Sequence, residues 1–300
     1  MTRRLLRWAG WLLGAIVSLA VIGAGAVYAA SERRLRQTFD TSVDSTPVPS
    51  DSVSIARGEH LVRAVVNCTL CHGSDLGGAV YASTPAIGTI AGPNLTRGRG
   101  GVGASYTDID YVRAIRRGVR RDGRSLIVMP SEVFTHLSEE DLGAVIAFLK
   151  HASPVDRDVP RSGFGPVGRA LLAAGKMNIL VAAKTPRLVP PVSVPRDPSA
   201  SYGKYIADIS GCHGCHGYGL SGGPVAGPPG LPPASNLTPA GIGGWTQADF
   251  TRALREGKRP DGTPLNEFMP WKVFRGMTEA EIHSVWLYLK SVPSKPFGNK

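Results

Sequence analysis

Cysteine is scarce in this chain: four residues in 300, too few for a disulfide scaffold of that length. Aromatic residues make up only 7%, so the cores cannot rest on large rings. No alternating apolar and polar runs stand out, which argues against half-buried strands. The net charge is +11, yet neither long globular-looking stretch is strongly basic. Residues 51–150 hold eleven Lys/Arg against ten Asp/Glu, and residues 199–300 hold ten against seven. The surplus lies in the first fifty residues and in 151–198. No aromatics are interleaved with a basic strip, so nucleic acid is excluded as a partner. The local run Arg113, Arg116, Arg117, Arg120, Arg121 and Arg124 is expected to form a solvated helix face, the alternative being a docking patch for an acidic partner. Gly (37) and Pro (24) are plentiful, which predicts short helices and much loop. At 42% apolar residues the length allows about two packed domains.

Trp8 to Ala30 runs 23 residues without a charge, with Arg3, Arg4 and Arg7 before it and Arg33, Arg34 and Arg36 after it. A bilayer core of about 30 Å needs about 20 apolar helical residues. A cleaved signal has a shorter apolar region, of about 7–15 residues. The run is therefore read as a retained anchor rather than a cleaved signal.

The remainder contains a duplication. NCTLCHGSDLGG, GPNLT, DYVRAIRRGVRRDGRSLIVMPSEVF and LSEEDLGAVIAFLK are matched by GCHGCHGYGLSGG, ASNLT, DFTRALREGKRPDGTPLNEFMPWKVF and MTEAEIHSVWLYLK. Leu142, Val145, Ile146 and Leu149 fall at helical spacing, as do Ile282, Val285, Trp286 and Leu289. Capping signals open the helices at Thr107-x-x-Asp110, Ser138-x-x-Asp141, Thr246-x-x-Asp249 and Thr278-x-x-Glu281. Further helices lead into Cys68 and Cys212. Gly222–Pro233 reads as a loop, and Val167–Ala183 as a short apolar helix packed between the domains.

Cys68-Thr-Leu-Cys71-His72 and Cys212-His-Gly-Cys215-His216 are both C-x-x-C-H, the signature for covalent c-type haem attachment. Two thiols add across the two vinyl groups of one porphyrin, and the adjacent His lies beneath the iron. A redox disulfide or half a zinc site would leave that His unexplained, and zinc would need two more close ligands per site. The motif occurs twice and uses every cysteine.

Of five methionines, only Met129 and Met269 correspond between repeats. Each begins a Met-Pro, 57 and 53 residues after its His. They are read as sixth ligands, since a thioether favours electron-rich iron and raises the reduction potential. Met277 aligns with Leu137 and reads as packing; Met177 has no counterpart. His60, His136, His151 and His283 are unmatched and are assigned surface or packing roles. His213 is expected to point away from the iron.

The two repeats, over about two thirds of the chain, resemble class I cytochrome c domains in tandem behind a membrane anchor. The resemblance implies an all-α fold: an N-terminal transmembrane helix followed by two tandem class I cytochrome c domains. It divides the chain into an anchor (1–36, or an uncleaved signal), a linker (37–50), domain 1 (51–152), a Pro-rich linker with a short helix (153–198) and domain 2 (199–300). It implies two covalent haems on Cys68, Cys71, Cys212 and Cys215, with iron held by His72, Met129, His216 and Met269. In the family, the Pro carbonyl of a Gly-Pro-x-Leu loop accepts a hydrogen bond from the ligand His. Gly92-Pro93-Asn94-Leu95 matches, while Ser235 stands where Pro93 stands. Asn94-Leu-Thr and Asn236-Leu-Thr read as part of the repeat rather than as glycosylation sites.

The implied function is a di-haem electron carrier, not an enzyme by itself. It would pass single electrons from a periplasmic or membrane-bound dehydrogenase to a downstream acceptor of the respiratory chain. It would be tied to the bacterial cytoplasmic membrane by one span through the lipid bilayer, with both haem domains in the periplasm. The alternatives are a di-haem subunit of a haem–copper terminal oxidase, or a di-haem peroxidase or thiosulfate dehydrogenase.

Overall fold

The computed structural model describes residues 2–186, 194, 196–225 and 230–298. The centre of the Gly222–Pro233 loop (226–229) and residues 187–193 and 195 of the linker lie outside the described residues. The chain opens with α1 (Thr2–Leu35). Domain 1 follows with α2 (Ser52–His60), running on as a π-helical turn over Leu61–Val65, and α3 (Cys68–His72). A hairpin comes next, β1 (Ala79–Thr84) and β2 (Gly88–Gly92). Then come α4 (Asp108–Val112), continued by a π turn at Arg113–Arg117, α5 (Ser131–Phe134) and α6 (Glu139–His151). The linker contributes β3 (Gly163–Phe164), α7 (Pro166–Ala173) and a 3₁₀ turn at Val181–Ala183. Domain 2 holds α8 (Ala200–Ile209), α9 (Cys212–His216), α10 (Pro239–Ile242), α11 (Gln247–Glu256), α12 (Trp271–Phe274) and α13 (Glu279–Ser291).

Each domain is built on a crossing of its first and last long helices, α2 on α6 and α8 on α13. The crossing requires glycine. A Cβ on Gly58 would lie 1.9 Å from the Ala144 carbonyl oxygen, and one on Gly203 would lie 1.8 Å from that of Ser284. From these glycines to the first cysteine the count is ten residues in domain 1 and nine in domain 2. The π turn absorbs the extra residue: the Val66 amide reaches back five positions to the Leu61 carbonyl at 2.8 Å. Both domains thereby present their haem motif in the same phase.

The two domains share one continuous hydrophobic core, from Leu61, Val65, Ile146 and Leu149 through to Tyr205, Ile206, Ile282 and Leu289. A Cβ on Gly276, just past α12, would meet Ala64 at 2.9 Å, and one on Gly211, just before α9, would meet Val133 at 3.6 Å. The segment after each methionine of one domain therefore packs on the helix that leads to the cysteines of the other.

Three expectations need correction. Helical spacing does not carry the arginine run past Arg117, because Gly118 adopts a left-handed φ of 61° and stops the helix. Arg120, Arg121 and Arg124 sit beyond that stop. Arg113 and Arg121 pair with Asp110, Arg124 pairs with Asp122, and Arg116 donates to the Leu137 carbonyl. The linker helix ends at Ala173, ahead of Gly175 at φ 70°. It packs against α1 and β3 instead of lying between the domains. A three-stranded antiparallel sheet, β1–β2–β3, is present where no strand was expected.

Candidate haem sites

Both C-x-x-C-H segments form one-turn helices entered through a left-handed residue, Asn67 (φ 59°) and Gly211 (φ 75°). Leu76 and Leu220 repeat the match at φ 60° and 57°. A leucine in that region is strained, and here it occurs at the same place in both copies. Each tight loop turns the chain back, so that Leu95 and Leu237 donate to the carbonyls of Leu76 and Leu220.

The imidazoles are oriented alike. Nδ1–H of His72 donates to the Pro93 carbonyl at 2.8 Å, and Nδ1–H of His216 donates to the Ser235 carbonyl at 2.8 Å. Serine thus supplies the same acceptor as proline, as expected of a backbone oxygen. The bond fixes the tautomer and leaves Nε2 with the lone pair that a metal requires. Burial draws the His72 pKa down, against the pull of that carbonyl. Burial also pushes the Cys68 and Cys212 thiols up to about 12. Two thiols, and an imidazole held through Nδ1 on a backbone carbonyl, fit a covalently held haem. Among the described residues no three His, Cys, Asp or Glu side chains converge as a zinc site would require.

Asn94 and Asn236 brace these loops identically. Each accepts from the amide and hydroxyl of the threonine two residues on, and each donates Nδ2–H to a carbonyl of the following segment, Val155 or Lys295. Both asparagines are buried, so the sequons are structural.

Met129 and Met269 are half-buried against the shared core, as are Cys68 and Cys212. Their loops differ. Val128, just before Met129, is held at φ 67° and donates to the Ile179 carbonyl of the linker at 3.2 Å. Phe268, its counterpart, instead donates to the Asn266 side chain at 2.9 Å. Met277 lies in the core at 4% exposure, a packing role as expected. His213 pairs with Asp208 at 3.0 Å and stacks on Tyr218.

His60 is the residue that sequence reasoning missed. Its Nε2–H donates to Glu281 of domain 2 at 2.8 Å. Arg57 grips Asp141 through two bonds (3.1 and 3.0 Å) and Glu281 through a third (3.0 Å). Tyr205 donates to Asp141 at 2.8 Å and accepts from the Ser138 amide at 3.2 Å. His60 aligns with Tyr205, Arg57 with Tyr202, and Asp141 with Glu281, so the cluster sits on a pseudo-twofold. Burial opposes the charge of Arg57, but Asp141 and Glu281 hold it well above its ordinary value. Burial also raises Glu281, but His60, the Thr278 amide and Arg57 outweigh it and hold the carboxyl at about 2. On the hairpin, burial and then the nearby thiols of Cys71 and Cys215 raise the Tyr81 hydroxyl.

The comparisons agree with this architecture. The cytochrome c subunit of the quinone alcohol dehydrogenase of Gluconobacter oxydans strain 621H is 28% identical over 334 residues, covering 96% of this chain and 61% of the relative. The fructose dehydrogenase cytochrome subunit of Gluconobacter japonicus is 28% identical, covering 84% and 55%. The gluconate 2-dehydrogenase cytochrome c subunit of Pantoea cypripedii is 29% identical, covering 77% and 55%. The chain thus spans less than two thirds of these relatives. The cytochrome c family profile matches residues 55–153 and again 200–293. With nearly two thirds of its length matched in two tandem copies, the chain belongs to the cytochrome c family and carries a covalently bound c-type haem in each of two domains.

Proposed function

We propose that this chain is a membrane-anchored relay that takes single electrons from a dehydrogenase and passes them toward a respiratory acceptor. The observation that carries the reading is the pair of matched haem sites set about one shared core. When bound, each haem supplies a one-electron iron centre. Cys68 and Cys71 hold the first covalently, and Cys212 and Cys215 the second. His72 and His216 ligate through Nε2, aimed by the Pro93 and Ser235 carbonyls. Met129 and Met269 would supply a thioether to each iron and leave no position open to substrate. The shared core and the Arg57–Asp141–Glu281 cluster hold the two domains that would carry these centres together.

The relatives are named as cytochrome subunits of alcohol, fructose and gluconate dehydrogenases, which favours a dehydrogenase donor over a terminal oxidase. The helix at Arg3–Leu35 is long and apolar enough to cross a membrane. We read it as a single retained span, with both domains on the periplasmic side, where c-type haem is attached.

The test is purification after gentle solubilisation. A co-purifying flavin or quinone-cofactor dehydrogenase whose substrate reduces both haems is the expected result. Co-purification with haem–copper oxidase subunits would overturn the direction of the relay. Rapid stoichiometric carbon monoxide binding at one reduced haem would overturn pure relay in favour of an enzyme.

A further inference from the structure

The linker helix α7 docks on the C-terminal end of α1. The Arg169 guanidinium lies 4.2 Å over the Tyr28 ring. It also donates to Ser31 at 3.0 Å and to Glu32 at 3.3 Å. Ser31 is fully buried by this contact, whereas the apolar side chains from Trp8 to Ile22 stand exposed. The depth of the contact follows from length. Twenty-three charge-free residues at about 1.5 Å each span roughly 34 Å, against about 30 Å of hydrocarbon. Trp8 and Trp11 stand at one end and Tyr28 at the other, the places where aromatic rings sit at headgroup level. A helix resting on Tyr28 lies at that level too.

The composition of α7 suits that position. Leu172 (1% exposed) and Gly168 face inward, Gly168 against the Ile87 carbonyl. Pro166, Val167, Ala170 and Ala174 form an exposed apolar stripe on the other side. Residues 159–186 hold Arg161, Arg169, Lys176 and Lys184 and no Asp or Glu. The carboxylate that α7 contacts, Glu32, is held by Arg36 and Arg169.

We infer that α7 is a second membrane contact, lying flat at the surface of an anionic bilayer with its Pro166–Ala174 stripe in the headgroup region. This rests on the reading of α1 as an anchor. It adds to the anchor a fixed orientation. Gly165 lies against the Pro85 carbonyl and Gly168 against that of Ile87, so the hairpin beside the first haem motif is tied to the same platform. An amphipathic contact with basic flanks of this kind binds through apolar area and anionic headgroups together.

The test uses the full-length holoprotein in phosphatidylglycerol-containing vesicles. The four native cysteines are taken up by thioethers, so an introduced one is labelled uniquely. Nitroxides are placed at Val21→Cys, Ala170→Cys and Ser294→Cys, and collision rates are read with oxygen and with a water-soluble nickel chelate. The expected result is a label at 170 several-fold less accessible to the chelate than at 294, and intermediate in oxygen accessibility between 294 and 21. Replacing the anionic lipid with phosphatidylcholine should raise chelate access at 170 and leave 21 unchanged. A water-like signal at 170 with a buried signal at 21 would overturn the inference and leave the anchor standing. Water-like signals at both would overturn the anchor as well. A label at 170 shielded from both reagents would mean that protein covers the stripe, and would also overturn it.

Discussion

Domain 2 caps its last long helix with its own residues, whereas domain 1 borrows a side chain to do so. At α13, Thr278 and Glu281 close a reciprocal box. At α6, Ser138 accepts from the Asp141 amide, but the Ser138 amide is met by the Tyr205 hydroxyl of domain 2. Asp141 is left to bind Arg57, Tyr205 and Arg196. On the other side of the pseudo-twofold, His60 joins an already complete box. One copy's cap is thus part of the joint between the copies, while the other copy's cap is local and carries an ion pair besides.

Five measurements test this asymmetry. The largest effect belongs to the ligands. Met129→Ala and Met269→Ala should each remove one thioether–iron charge-transfer band and lower the potential of one haem only, as read by redox titration. If either change shifts both haems equally, the two sites are not independent. Next is Arg57→Met, which leaves Asp141 and Glu281 buried without their cation. Breaking such a pair costs about 3–5 kcal/mol, and denaturant unfolding should change from one transition to two.

Glu281 sets a pH dependence. Its carboxyl titrates at about 2 instead of 4.5, so the unfolded chain takes up that proton first as pH falls. The stabilisation is whole above pH 4.5 and lost on going down through about 2, amounting to about 3 kcal/mol at about 1.36 kcal/mol per pH unit. Glu281→Gln should flatten the stability profile across that window. Tyr205→Phe should cost about 1–3 kcal/mol by leaving the Ser138 amide without a partner. It should also speed hydrogen exchange at the start of α6, whereas His60→Gln should leave the start of α13 protected. The smallest effect is expected at Arg196, half exposed beside Asp141. Arg196→Ala should change stability by less than about 1 kcal/mol.

Much of this was legible beforehand because it is local or repeated. The C-x-x-C-H pairs, the apolar spacing of the last long helices and the cap residues announce themselves within a few positions. Three features were not legible, for separate reasons. The hairpin 79–92 is short and built largely from small residues, so it offers no alternation to read. The π turn shows only as a one-residue change of register between repeats. The interface was hidden because Ser138-x-x-Asp141 has the form of a local box, and nothing nearby in sequence shows that Tyr205 occupies it. A signal did exist: Arg57, His60, Tyr202 and Tyr205 put polar groups at matched positions on helices otherwise apolar at that face.

The borrowed cap also bears on tunnelling between the two irons. The rate of such a step falls steeply with distance, so any breathing of the joint would appear as a spread of rates. Here the domains cannot part without stripping the Ser138 amide of its Tyr205 partner and exposing a shared core. With the joint so closed, inter-haem transfer should show one exponential phase, indifferent to solvent viscosity.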